Sequence, residues 1–112
     1  TFVPAREQGQ DILREILAYI DEHYAEPITL ASAAERFGYS KCHFSRLFNA
    51  RITASFTSYV NRVRVFKSLP LLKTHKSSAI YDMCGFNSPQ QYYLNFKKVL
   101  GKSPREYLAE TD

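Results

Sequence analysis

Residues 84–96 read CGFNSPQQYYLNF, and residues 37–48 read FGYSKCHFSRLF. In both stretches a glycine stands where one helix would stop, an aromatic residue follows it, and a serine stands where the next helix would start. Glycine reaches the left-handed conformation that closes a helix without a Cβ penalty. A serine in front of a helix can accept from the unpaired N–H groups of its first turn, and Pro89 in first position lacks an N–H that would be unpaired anyway. The likeness runs on past the turn. Gly38 matches Gly85 at a separation of 47, and after one extra residue Phe44, Phe48, Ser55 and Tyr59 match Tyr92, Phe96, Ser103 and Tyr107 at 48. Two copies are too few for a solenoid, which needs at least ~3. They describe one supersecondary unit used twice.

Outward from the repeat, the remaining elements also read as helices. Between about Gln10 and Tyr24, the positions Ile12, Leu13, Ile16, Leu17 and Ile20 form one apolar helical stripe. Pro27 ends it by disfavouring the α conformation at Glu26. Residues 1–9, with Pro4 and Gly9, are expected to be a tail or the remnant of a linker. Thr29 caps a helix from Leu30 to Phe37, Ser40 one from Lys41 to Arg51, and Ser55 a longer one from Phe56 to Leu72. A polar break at 73–77 precedes a short helix from Ser78 to Cys84. Pro89 opens a helix that runs to Leu100 and stops at Gly101. Ser103-Pro104-Arg105-Glu106 is a capping box that opens the last one. Seven helices, no strand pattern and no Asn-Gly or Asp-Gly hairpin turn predict an all-α fold.

The formal net charge of +4 is unevenly spread. Residues 1–35 balance at −5, while residues 36–105 hold thirteen Lys or Arg against a single acid, Asp82. Such a tract is a candidate surface for a polyanion. A hydrophobic content of 45% is that of a globular chain, which excludes disorder throughout. There is no long apolar run and no basic-then-apolar start, so neither a membrane span nor a signal peptide is expected. Cys42 and Cys84 lack CxxC spacing and read as buried reduced thiols of a cytoplasmic protein. His23, His43 and His75 lack zinc-site spacing, and no Gly-rich phosphate loop or acid pair is present, so no enzyme and no cofactor is expected. Cys42 and His43 point about 100° apart on a helix, which removes them as a nucleophile–base pair.

A short helix, a glycine-containing turn and a second helix make a helix-turn-helix, whose second helix can enter the major groove of DNA with its N-terminal residues at base edges. In the first copy Phe44, Leu47 and Phe48 share the inner face. Lys41, Cys42, His43, Ser45, Arg46 and Asn49 are left outward or flanking. Arg46 can bond O6 and N7 of guanine in a bidentate way. In the second copy Phe86, Tyr92 and Phe96 look inward, and Ser88, Gln90, Gln91, Leu94 and Lys98 outward. Glutamine is suited to adenine N6 and N7. Taken singly, each glutamine fits an ordinary solvated face; the repeat and the basic tract single them out. Lys41, Arg51, Lys97 and Lys98 are candidates for phosphate contact, with His43, Asn49 and Ser88 beside them.

These residues resemble the DNA-binding domain of the AraC/XylS family of bacterial transcription regulators. The likeness covers about Ile12 to Leu108. It is carried by CGF at 84–86 with the aromatic-rich helix behind it, FKK at 96–98, Gly101 and SPREY at 103–107, together with YIDEHYAEPITL at 19–30 and FGYSKCHFSRLF. The resemblance implies two helix-turn-helix subdomains, residues 10–54 and 73–112, joined by a linker helix at 55–72. It further implies double-stranded promoter or operator DNA as partner, and a separate sensor or dimerisation domain commonly attached before this segment. Base-reading positions carry over onto Cys42, Ser45 and Arg46 and onto Pro89, Gln90 and Leu94. Leu94 stands where the family usually has arginine. Three further departures concern stability. Tyr81 replaces the small residue expected where two helices cross, Thr53 a helix-ending glycine, and Pro70 interrupts the linker helix. They predict a canted or less ideal second subdomain. A protein-interaction module with little intrinsic DNA affinity, using the acidic outer face of the first helix to contact RNA polymerase or a sensor domain, is the rival reading.

Overall fold

Side-chain caps set most helix starts in the computed structural model, which describes residues 5–110. Among the described residues there are seven α-helices, one 3₁₀ segment and no strand. They are α1 (Ala5–His23), α2 (Leu30–Arg36), α3 (Lys41–Asn49), α4 (Phe56–Ser68), the 3₁₀ segment Leu69–Lys73, α5 (Ser77–Met83), α6 (Pro89–Leu100) and α7 (Pro104–Glu110). Thr29 Oγ1 accepts from Ser32 N at 3.0 Å while Ser32 Oγ accepts from Thr29 N at 2.9 Å, a reciprocal cap on α2. Ser40, Ser55 and Ser88 accept from His43, Ser58 and Gln91 N, each at 3.2 Å. Ser103 Oγ accepts from Glu106 N at 3.1 Å and Glu106 Oε1 from Ser103 N at 2.9 Å, the capping box expected for α7. These bonds hold the Glu106 carboxyl below its usual range. α5 starts without a side-chain cap.

The chain divides into two units. The first comprises the described residues up to His23 with Ile28–Val60; the second comprises Tyr24–Pro27 with the described residues from Asn61 onward. In the first, Ile16, Ile20, Ala33, Ala34, Phe44, Phe48, Phe56 and Val60 are buried. In the second, Val65, Leu72, Ile80, Cys84, Phe86, Tyr92 and Phe96 form the core. The sequence repeat is a structural one. Phe48 and Tyr59 meet edge to face at 5.6 Å and 76°, and their counterparts Phe96 and Tyr107 at 5.9 Å and 76°. Tyr92 Oη donates to Ser68 Oγ at 2.9 Å and Ser68 Oγ donates to Val65 O, so this buried tyrosine ties α6 to the end of α4 with its polar atom satisfied. Burial pushes the Tyr92 phenol up to about 12.

Several boundaries differ from the sequence reading. Residues 5–9 are the first turns of α1, not a tail, and residues 1–4 lie outside the described residues. Gly9 inside a helix costs about 1 kcal/mol against alanine, which burial of Ile16 and Ile20 further along outweighs. α3 stops at Asn49 rather than Arg51, and the backbone leaves it through Ala50 in the right-handed conformation. Among the described residues, none other than glycine has a positive φ, so Thr53 carries none of the strain expected there. α4 stops at Ser68 rather than Leu72 because Pro70 cannot donate into an α ladder. The chain continues as a 3₁₀ segment with Pro70 in its first turn. Cys42 is exposed, and only Cys84 is the buried thiol expected of both, with burial pushing it up to about 11.

Candidate nucleic-acid interface

Each unit presents the same turn. Gly38 N donates to Glu35 O at 3.1 Å and Tyr39 N to Ala34 O at 2.8 Å. In the second unit Gly85 N donates to Asp82 O at 3.2 Å and Phe86 N to Tyr81 O at 2.9 Å. This pair of bonds is the Schellman closure, and it needs a left-handed residue between them: φ is 78° at Gly38 and 92° at Gly85. Tyr81 is half-buried against the core of the second unit and its carbonyl takes part in the closure, so the bulky ring leaves this turn as it is in the first unit. Four residues separate α2 from α3, and five separate α5 from α6. The difference is the one extra residue in the second copy.

Behind these turns, α3 and α6 each bury one stripe and expose the other. Phe44 and Phe48 are buried in the first unit, and Lys41, Cys42, His43, Arg46 and Asn49 are exposed, as is Arg51 just beyond the helix. Ser45 is half-buried, and Asn49 Nδ2 reaches its Oγ at 3.5 Å. Leu30, Lys41, Cys42, Ser45 and Arg46 line an open hollow of about 520 Å³. The His43 and Tyr39 rings meet in a T-shaped arrangement, with their centroids 4.8 Å apart. In the second unit Tyr92 and Phe96 are buried while Gln90, Gln91, Leu94, Lys97 and Lys98 are exposed. Ser88 and Pro89 are half-buried, and Ser88 Oγ is already engaged in capping α6. Asn95 Nδ2 turns back onto Gln91 O at 2.8 Å, which leaves the two glutamine amides unobstructed by it. Every candidate reader and phosphate-contacting residue is thus at least partly accessible within its own unit.

Sequence reasoning counted Arg64 as one more surface cation. It is 9% exposed. Its Nε donates to Tyr24 O at 2.7 Å, Nη2 to Glu26 O at 2.9 Å and Nη1 to Asn61 Oδ1 at 3.2 Å, with Phe86 beside the guanidinium. Burial holds this guanidinium below its ordinary value. The sequence signal was its place one helical turn after Val60 and one before Ser68, both of them buried. Among the described residues, no three His, Cys, Asp or Glu side chains gather to hold a metal ion, and no helix is long and apolar enough to cross a membrane.

A family model described as a helix-turn-helix domain matches residues 33–110, which contain both turns and both outward helices. The chain belongs to the AraC-type helix-turn-helix family of transcription regulators. It is 31% identical over 96 residues to a response regulatory protein of Staphylococcus epidermidis and 30% identical over 104 residues to the HTH-type transcriptional regulator YpdC of Escherichia coli K12. These matches cover 85% and 91% of the chain but only 38% and 36% of the two relatives. Among solved structures, the C-terminal domain of AraT, a response regulator from Geobacillus stearothermophilus, matches at a TM-score of 0.80 and 28% identity, covering 86% of this chain and 82% of that one. The DNA-binding domain of AdpA, a global transcriptional factor solved with a target DNA, matches at a TM-score of 0.80 and 29% identity, covering 87% and 89%. Against the AraC-type pattern, Thr53 and Pro70 are accommodated by a right-handed exit from α3 and by a 3₁₀ continuation of α4.

Proposed function

We propose that this chain binds double-stranded DNA sequence-specifically and regulates transcription, with α3 and α6 as recognition helices entering successive major grooves. The observation that carries the reading is the twice-built turn, behind which a helix buries aromatic rings and faces solvent with amide, guanidinium and ammonium groups. Cys42, Ser45 and Arg46 read bases from α3, and Pro89, Gln90, Gln91 and Leu94 from α6. Lys41, His43, Asn49, Arg51, Ser88, Lys97 and Lys98 meet phosphates. Pro89 cannot donate and Cys42 is small, so their share is shape and close contact rather than bidentate bonding. The kinship to AraC-type regulators supports the same reading.

Titrating a labelled mixed-sequence duplex at several salt concentrations tests it. Affinity should fall steeply as salt rises, because bound Lys and Arg release condensed counterions. Salt-independent or absent binding rejects the proposal. Arg46→Ala should weaken specific binding by ~1–3 kcal/mol and relax the preference at one base pair. An unchanged preference in that variant removes Arg46 from the readers. Lys98→Ala should instead weaken all duplexes alike and flatten the salt slope by about one unit, read from the same titration.

One feature favours contact with a second partner. Glu15 and Glu22 of α1 flank Tyr19 and Phe37 in an open hollow of about 260 Å³, with Arg36 lying over the Tyr19 ring at 4.7 Å. An acidic rim around aromatic walls suits a basic protein segment, such as one from RNA polymerase or from a sensor domain, rather than DNA. Retained duplex binding after Glu15 and Glu22 are both changed to glutamine separates the two surfaces.

A further inference from the structure

The outward face of α6 is centred on a leucine. With about 100° between successive helical residues, the midpoint of Tyr92 and Phe96 and the direction of Leu94 lie about 180° apart. Leu94 is 65% exposed, the largest value among the exposed large hydrophobic residues, while Tyr92 and Phe96 are fully buried. A single exposed leucine is ordinary on a protein surface. This one has Gln90 one turn before it, Gln91 beside it and Lys97 and Lys98 one turn after it, all exposed. An apolar side chain at the centre of a face that otherwise offers donors and cations has no work to do for phosphates.

We propose that Leu94 is a specificity-determining residue that reads the C5-methyl group of thymine, next to an adenine read by Gln90, so that α6 selects an A·T-containing subsite. This rests on the reading of α6 as a recognition helix. Leucine neither donates nor accepts a hydrogen bond, and the thymine methyl is the apolar feature that a base pair presents in the major groove. The other edges are donors and acceptors, and a leucine placed against one desolvates it without replacing its bond. Gln90 and Leu94 are four residues apart, about 6 Å along the helix, which corresponds to one or two base-pair steps. The amide and the methyl-seeking side chain therefore fall on neighbouring pairs. Asn95, which could have competed for the same edge, is held back on Gln91 O.

Selection of bound duplexes from a random pool first supplies the site. Each thymine in it is then replaced singly by deoxyuridine, which removes the methyl group and keeps the pairing edge. The wild-type chain should lose about fourfold in affinity at one thymine, the worth of one buried methyl group. Leu94→Ala, an exposed change that should leave the thermal midpoint in place, should bind thymine and deoxyuridine alike at that position. Gln90→Ala should relax the neighbouring adenine preference and keep the methyl effect. A methyl effect that is equally large in Leu94→Ala, or absent from the wild type, overturns the assignment while leaving DNA binding intact. Loss of all salt-dependent duplex binding removes the assignment together with the function beneath it.

Discussion

Gly85→Ala should destabilise the second unit by about 3–4 kcal/mol, against about 1 kcal/mol for Gly38→Ala in the first. The two glycines occupy equivalent turns, with φ of 92° and 78°, so the conformational strain on a side chain is similar. What differs is the surroundings. A Cβ on Gly85 would lie 2.7 Å from Tyr24 O, 2.9 Å from Ala25 Cα and 3.0 Å from Ala25 O. All three are backbone atoms, which cannot rotate aside as a side chain would. A Cβ on Gly38 meets nothing within 4 Å. The chain has no tryptophan, so unfolding in urea is followed by circular dichroism or tyrosine emission. Equal losses at the two sites would mean that backbone strain alone sets the cost and that segment 24–25 moves away freely.

The pattern of what the sequence disclosed follows from how local each signal is. Ser40, Ser55, Ser88 and the Ser103–Glu106 pair announce helix starts within three residues of themselves, and each makes its cap. The aromatic repeat was legible for the same reason, since helical period alone decides which of Phe44, Phe48, Tyr92 and Phe96 share a face. Signals that depend on distant partners were not legible. Pro4 and Gly9 suggested a tail, yet the helical stripe behind them carries the helix back to Ala5. The glycine missing at Thr53 looked costly, but that cost arises only if the chain exits α3 left-handed, and it exits right-handed. Arg64 is the sharpest case, because its two carbonyl acceptors lie 38 and 40 residues away.

That separation makes Arg64 the second site of large expected effect. Removing its guanidinium deletes two charge-assisted bonds to the carbonyls of Tyr24 and Glu26, each worth ~1.5–3 kcal/mol. Against this stands the desolvation of a charge that is nearly buried, so that replacement by an apolar side chain recovers part of the loss. Arg64→Met should therefore cost about 3 kcal/mol, less than the sum of the two bonds. Arg64→Lys should cost nearly as much, because one ammonium cannot span two carbonyls that Nε and Nη2 reach with a rigid fork. Arg62→Ala, an exposed neighbour on α4, is the control and should stay within about 0.5 kcal/mol of wild type. The same segment, Tyr24–Pro27, is what Gly85 admits by having no Cβ, so the two sites share one partner. Combining Arg64→Met with Gly85→Ala should then cost less than the two changes add up to, since a segment already displaced by the alanine no longer receives the arginine's bonds. Strict additivity in urea midpoints would show that Arg64 and Gly85 hold segment 24–27 independently.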